Sequence, residues 1–296
     1  MKVLLLGQNS YPANFYLKTP KEKIINIVTI KERFDHYDII NLDDDLFYEK
    51  YFRVIGANFD CSLNYAYIHN SSIASEFKIN SMLCKKLIYV FKKIKVKKNI
   101  YISTVNSYKE TKSEYGKAKY ICEEIYRSLD SFLIIRPSTI IDIDYKKRLI
   151  NGGKNGKSFE SLNRIISKFP FFPVPGFGNY LQTVCFADDF GRFINCVINN
   201  NLFINKTINF FTGEMISYNN FLDVNFNFRN IKRVKIFIPK FLILNIIRFV
   251  KLIFKNLTIS SKNIDNLTNQ KIEFDFSKQI EELIKQFSKL PGLGPK

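Results

Sequence analysis

Up to Arg136 the chain alternates short apolar runs with longer stretches in which apolar residues return every third or fourth position. The runs Lys2–Leu6, Ile24–Ile30, Tyr37–Leu42, Phe59–Asn64, Asn99–Ser103 and Ser131–Arg136 are rich in Ile, Val, Leu or Phe and read as buried strands. Between the fourth and fifth, Ile73, Phe77, Asn80, Cys84, Leu87, Phe91 and Ile94 mark one face of a helix, with Ser71-Ser72 as its caps. Between the fifth and sixth, Thr111-Lys112-Ser113-Glu114 has the Thr-x-x-Glu form of a capping box, and Ala118, Cys122, Ile125 and Leu129 continue one helical face. Strand and helix in this alternation predict an α/β protein whose doubly wound parallel sheet is covered on both faces. Ligands of such sheets sit at the carboxyl ends of the strands, so chemistry is sought there first.

The last third has a different texture and predicts a smaller C-terminal α/β part that covers a substrate. Asn151–Lys157 reads as a loop, and Phe169–Gly178, dense in Pro, Gly and Phe, as an irregular apolar wall beside a ligand or between domains. Pro239 opens an apolar helix over Phe241–Phe254 that is too short to span a bilayer at 1.5 Å per residue. Its polar stripe, Asn245, Arg248, Lys251 and Lys255, fits a helix edge in water and also a peripheral contact of 239–255 with an anionic membrane surface. Leu290–Lys296 reads as an unstructured tail. The division expected is 1–143 plus 180–212 for the sheet domain and 144–179 plus 213–296 for the substrate part.

Composition narrows the chemistry. With 46% hydrophobic and 24% charged residues over 296 positions, the chain has ample material for a folded core. Its two histidines, His36 and His69, leave no basis for a His-built metal site or a Ser-His-Asp triad, and no metal is expected. Five scattered cysteines without a C-x-x-C pair suit reduced thiols in a cytosol, and the run Val3–Leu6 is too short for the apolar core of a secretory leader. The net charge of +18 would attract polyanions, yet the lysines are dispersed and no nucleic-acid-binding motif accompanies them, so no specific nucleic-acid partner is expected.

Three residues at the predicted ligand edge carry possible chemistry. Thr104 follows the fifth strand, where its hydroxyl can donate a hydrogen bond to a ligand. Tyr115 and Lys119 lie one helical turn apart, so a nearby ammonium can favour the phenolate and bring the phenol towards general acid–base range. The same spacing also arises by chance on the solvated helix face of a lysine-rich chain with 16 tyrosines. Asn80, inside an otherwise apolar stripe, requires buried partners: either a catalytic relay or a neighbouring loop.

Taken together, Lys2–Gly7, Asp60–Ala66, Asn80, Tyr101–Thr104, Tyr115–Lys119, Arg136–Ile141 and Val184–Ile194 around Asp188-Asp189 resemble, in order, an extended short-chain dehydrogenase/reductase of the NAD-dependent epimerase/dehydratase family. The resemblance implies a Rossmann-type sheet and an enzyme of nucleotide-sugar metabolism in surface-glycan biosynthesis. It makes Tyr115 the general acid/base, Lys119 the residue that holds the nicotinamide ribose, Thr104 a partner to the substrate oxygen and Asn80 the residue that orders a relay. It places Gly7, Asn9, Ser10, Asp43, Ala66 and Pro137 around an NAD(P) cofactor, gives Asp189 a structural role, and implies a homodimer in the cytoplasm. Lys31 and Arg33, after the second strand, lean towards NADP over NAD, or are ordinary loop charges.

The chain departs from the family in the loop Gly7-Gln8-Asn9-Ser10-Tyr11-Pro12-Ala13, which keeps the first glycine alone, and in Asp142 and Gln182, which stand where a glycine and a diphosphate-binding arginine are common. Epimerase and 4-keto-sugar reductase remain equally open; Val105 and Asn106 after Thr104 supply no acid for water elimination. The rival reading is a non-catalytic, cofactor-binding or structural partner protein.

Overall fold

A computed structural model of the chain describes residues 1–19, 25–30, 33–69, 74–111, 113–141, 170–200, 202–212, 215–228, 232–239 and 242. In chain order these form β1 (Lys2–Leu6), α1 (Tyr11–Lys18), β2 (Asn26–Thr29), α2 (His36–Asn41), α3 (Asp44–Tyr51), β3 (Cys61–Asn64), α4 (Glu76–Lys93), β4 (Asn99–Ile102), α5 (Glu114–Tyr126), β5 (Phe132–Pro137), β6 (Thr139–Ile141), β7 (Phe171–Pro175), β8 (Leu181–Gln182), β9 (Val184–Phe186), α6 (Ala187–Asn200), β10 (Lys206–Phe210), β11 (Ile216–Ser217), α7 (Tyr218–Phe228) and β12 (Val234–Ile238). Six strands form one parallel sheet in the order β10-β5-β4-β3-β1-β2. The chain leaves β1 in one direction and resumes at β3 in the other, so the order reverses between them, where a doubly wound sheet opens its ligand crevice.

Both faces of the sheet are covered, which is why its central strands carry apolar residues towards both sides rather than in strict alternation. Leu4 and Leu6 enter a core with α2, α3, α4 and α5, whereas Val3 and Leu5 face Ala13 and Tyr16 of α1 and Phe190, Phe193 and Ile194 of α6. The second face is close-packed: a Cβ on Gly191 would lie 2.2 Å from the Thr19 hydroxyl and 3.1 Å from the Phe15 carbonyl oxygen, so this glycine lets α6 approach α1. Lys98, almost fully buried beside β4, donates to the carbonyls of Val197 and Leu202 at 3.0 and 3.1 Å and stitches the end of α6 to the sheet.

Several sequence expectations are corrected. Tyr37–Leu42 is the helix α2, not a strand, because Asp35 caps the Tyr37 N–H and Asp43 then caps α3 at Leu46. The Asp35 cap at the start of so short a run favours helical turns over an extended strand, and Asp43 starts the next helix directly after it. The sixth strand is instead β10, paired with β5 at the sheet edge. Helix α4 is capped by Ser75, and Phe77 on its expected apolar face is 39% exposed; Ser71 and Ser72 lie outside the described residues. Helix α5 is capped by Ser113, whose hydroxyl accepts from Gly116 N–H, while the Thr111 hydroxyl accepts from the Ser113 N–H; the helix starts two residues later than expected and, with Gly116 at its third position, the Thr111–Glu114 capping box does not form. The wall read as irregular at Phe169–Gly178 contains β7, which pairs in parallel with β12 and, among the described residues, with no second strand, so its prolines lie in an edge strand. The segments 151–157 and 290–296, and all of the helix expected at 239–255 but Pro239 and Leu242, lie outside the described residues. Among the described residues no helix is long and apolar enough to cross a membrane, and no cluster suits a metal.

One buried charge network fixes α5 against the sheet. Glu123, with no exposed surface, accepts from Arg136 of β5 through Nε at 2.9 Å and Nη2 at 2.5 Å, and from the Ser103 hydroxyl at the end of β4 at 2.5 Å. Arg127 adds a 3.3 Å contact to the same carboxylate and donates to Thr207 of β10 at 3.2 Å. Removing the charge leaves two arginines around an amide that cannot match them. Glu123→Gln is therefore expected to lower stability by about 2–5 kcal/mol, measured by urea unfolding; an unchanged midpoint would show that the network does not hold α5.

Candidate active site

At the carboxyl edge, β4 is followed by Ser103 and Thr104, and the loop beyond them folds back on α5. The close approach depends on Gly116, where a Cβ would fall 2.4 Å from the Asn106 carbonyl oxygen and 2.9 Å from the Thr111 hydroxyl. Thr104 is nearly buried, its hydroxyl accepting from the Asn106 N–H at 3.4 Å, and Val105 N–H donates to the Pro137 carbonyl at 3.2 Å. Thr104, Pro137 and the first turn of α5 thus border one another.

Lys119 is buried beneath this edge. Its ammonium donates to the Ile102 carbonyl at 2.8 Å and lies 4.7 Å from the ring centroid of Tyr101, 5.1 Å from that of Tyr67 and 5.9 Å from that of Tyr115. Burial, only partly offset by Cys122, Cys84 and Glu123, lowers Lys119 to about 8. Tyr115 is partly buried, with Tyr67 edge-on at 4.9 Å and His69 stacked at 6.0 Å. Burial first, and the Glu76 carboxylate second, raise its phenol well above the ordinary value. The sequence reading had the ammonium lowering the phenol; here the ammonium is bonded to the backbone and Tyr115 stays a neutral acid.

Asn80 is bound to the loop after β3. Its Oδ1 accepts from Ile68 N–H at 2.9 Å, and its Nδ2 donates to the Ile68 carbonyl at 3.0 Å and the Glu76 carbonyl at 2.7 Å. Of the two readings open for this amide, these contacts are those of the loop anchor. By clasping residues 67–69 to α4, it delivers Tyr67 and His69 to Tyr115.

At the other side of the crevice, Gly7 has φ +72°, and a Cβ there would lie 2.6 Å from Ala66 N and 2.7 Å from the Tyr65 carbonyl carbon. This is the turn that carries β1 into α1, and it requires glycine. Ser10 caps α1 by accepting from Ala13 N–H at 3.4 Å, and Pro12 fills the first turn. Ala66 is fixed beside Gly7 by its N–H bond to Asn64 Oδ1 at 2.8 Å. Asn9 is exposed, Arg33 is exposed, and Asp43 is an exposed helix cap on α3. Lys31 lies outside the described residues. The glycine turn, the small Ala66 and the start of α1 at the sheet's reversal fit a dinucleotide diphosphate, with one N–H fewer at Pro12 than other residues would offer.

Sequence reasoning missed Tyr67, His69, Glu76, Asn64 and the Glu123 network. Glu123 was findable: it falls four residues after Lys119 on the face of α5 that also carries Cys122, and a buried carboxylate requires a partner such as Arg136. Tyr67 and His69 leave no such trace, because a loop without periodicity delivers them to Glu76 at the start of α4.

No protein-family model matches the sequence, and no curated protein matches it. Solved structures do. A dTDP-4-dehydrorhamnose reductase from Bacillus anthracis in complex with NADP superposes with TM-score 0.60 over 80% of this chain and 84% of its own, at 15% identity. A reductase of the same name from Clostridium acetobutylicum gives 0.60 over 97% and 100%, at 17% identity. A UDP-glucuronic acid 4-epimerase from Bacillus cereus in complex with UDP-glucuronic acid and NAD gives 0.60 over 81% and 86%, at 18% identity. The Rossmann-type fold expected from the resemblance is thereby shown.

The electrostatics give a stability test. In the folded chain Lys119 titrates near 8 and in the unfolded chain near about 10.4, so the unfolded state binds more protons between these values. This residue's contribution accordingly makes stability rise with pH through that window. Lys119→Met removes the buried charge and is expected to raise stability at neutral pH by about 1–3 kcal/mol while abolishing any activity that needs the ammonium. A thermal melt below that of the parent chain would contradict this.

Proposed function

We propose that the chain is an NAD(P)-dependent oxidoreductase acting on a nucleotide-sugar, and that it works as a reductase of a keto-sugar rather than as an epimerase. The observation that carries the reading is Tyr115, a neutral phenol one turn from the buried Lys119 on α5, at the carboxyl edge of the sheet where Thr104 follows β4. A reductase needs a proton donor at this place, whereas an epimerase must begin by withdrawing a hydroxyl proton with a phenolate. Burial and Glu76 both oppose the phenolate. The names and bound ligands of the structural neighbours, reductases and epimerases of nucleotide-sugars with NADP or NAD, support the class.

Gly7, Ser10 and Ala66 would hold the cofactor's diphosphate, and Lys119 with Tyr115 its nicotinamide ribose. When bound, a reduced nicotinamide supplies the hydride to the carbonyl carbon. Thr104 donates a hydrogen bond to the carbonyl oxygen, and Tyr115 gives that oxygen its proton as charge develops there. Lys119, bonded to the Ile102 carbonyl, is the buried donor that would face the nicotinamide ribose. Nothing in this scheme requires a membrane.

A second reading, a non-catalytic partner protein, is favoured by Pro12 in the phosphate turn and by the backbone bond that occupies Lys119. The two separate in one assay. With NADPH and a dTDP-4-keto-6-deoxyhexose, loss of reduced nicotinamide absorbance is expected, and Tyr115→Phe is expected to slow it about 10²–10⁴-fold with an unchanged melting temperature. Equal rates in the two proteins would remove Tyr115 from the chemistry.

A further inference from the structure

The far end of α5 is tied to the turn proposed for the diphosphate. Tyr126, with no exposed surface, packs its ring on Tyr101 of β4 at 4.6 Å, 24° from parallel, and edge-on to Phe91 of α4 at 6.2 Å. Its phenol oxygen accepts from Asn64 Nδ2 at 2.7 Å. Asn64, fully buried at the last position of β3, uses Oδ1 to accept from the Ala66 N–H at 2.8 Å. Ala66 N is in turn the atom nearest to where a Cβ on Gly7 would fall, 2.6 Å away. Contact therefore runs from α5, through one amide group, to the backbone that walls the turn between β1 and α1.

A buried amide has to satisfy both of its ends, and here each end has a partner of the opposite kind. Tyr126 takes the NH2 end, which leaves the oxygen for Ala66. Turned the other way, the amide would set its NH2 against the Ala66 N–H, donor against donor. Tyr126→Phe removes the acceptor, and a buried NH2 group left without one is relieved by swinging the amide away from Ala66.

We propose that Tyr126 is a positioning residue for dinucleotide binding: through Asn64 it holds Ala66 beside Gly7 and so sets the backbone that receives the diphosphate. With no exposed surface, it touches neither the cofactor nor the reacting atoms. The inference rests on the cofactor reading of that turn and extends it to α5. Lys119 lies two turns before Tyr126 on the same helix, its ammonium 4.7 Å from the Tyr101 ring on which Tyr126 also packs. One helix thus serves the ribose end and the diphosphate end of the same ligand.

Calorimetric titration of the folded full chain with NADPH and NADH tests this in the parent, in Tyr126→Phe, in Asn64→Ala and in the double variant. Tyr126→Phe is expected to raise Kd about fivefold or more, and Asn64→Ala at least as much. The double variant is expected to bind no more weakly than Asn64→Ala, because both residues act along one path. If Tyr126 only packed the core, its removal would leave Kd unchanged or would add to the effect of Asn64→Ala; either result overturns the proposal. Should Asn64→Ala not fold, Asn64→Ser takes its place, since a serine hydroxyl accepts from the N–H two residues on without needing a second partner. Combined with Tyr126→Phe it is expected to recover binding relative to Tyr126→Phe alone, and equal or weaker binding overturns the proposal. A readout without cofactor is hydrogen exchange at the Ala66 N–H, expected to quicken in Tyr126→Phe; unchanged protection overturns the link through Asn64. Quickened exchange in a protein whose parent binds neither cofactor would retire the cofactor reading, and the proposed role with it, while keeping the link. Binding by the parent with an equal Kd in Tyr126→Phe would overturn the role alone.

Discussion

Everything at the carboxyl edge depends on where α5 lies, and α5 is held by a carboxylate with no exposed surface. Glu123 accepts from Arg136 on β5, from Arg127 on its own helix and from Ser103 at the end of β4. A buried charge is tolerated only when its lone pairs are met, and here the partners come from the elements that border the site. One turn before Glu123 is Lys119, and one further turn before that is Tyr115. The network thus fixes the height and rotation of the helix that presents both, while Gly116 lets the loop after Thr104 close against it.

Within that frame the two titrating residues are moved away from their ordinary values by the same cause. Burial raises the phenol of Tyr115 and lowers the ammonium of Lys119. Each shift penalises the charged form, so the resting site approaches a neutral acid beside a readily deprotonated amine. Such a site suits giving a proton away, provided charge develops on the substrate at the same moment. The backbone bond from Lys119 to Ile102 and the wall of Tyr67, His69 and Glu76 shape this state.

Most of the sheet is legible in the sequence because its strands are buried on both faces and therefore stand out as apolar runs. The exception is instructive. Tyr37–Leu42 has the composition of a strand, yet Asp35 and Asp43 bracket it with helix caps, and local capping outweighed an apolar run too short to decide. β10 escaped notice because its Lys206, Thr207 and Asn209 interrupt the pattern at the sheet edge. Thr104, Tyr115, Lys119 and Asn80 were visible as residue types at spacings with a chemical meaning. The contacts that define their state were not. Whether Lys119 turns to a phenol or to a carbonyl, and whether Asn80 serves a relay or a loop, depends on neighbours distant in sequence.

The central claim is that a turn with a single glycine still receives a dinucleotide at the reversal between β1 and β3. Calorimetric titration of the folded protein with NADPH and NADH in parallel, repeated on Gly7→Ala, tests it most directly. The account predicts binding of at least one of the two by the parent chain, and its loss when a methyl group meets the backbone of Ala66 and Tyr65. Absence of binding by either cofactor, or equal binding by the two proteins, would contradict it.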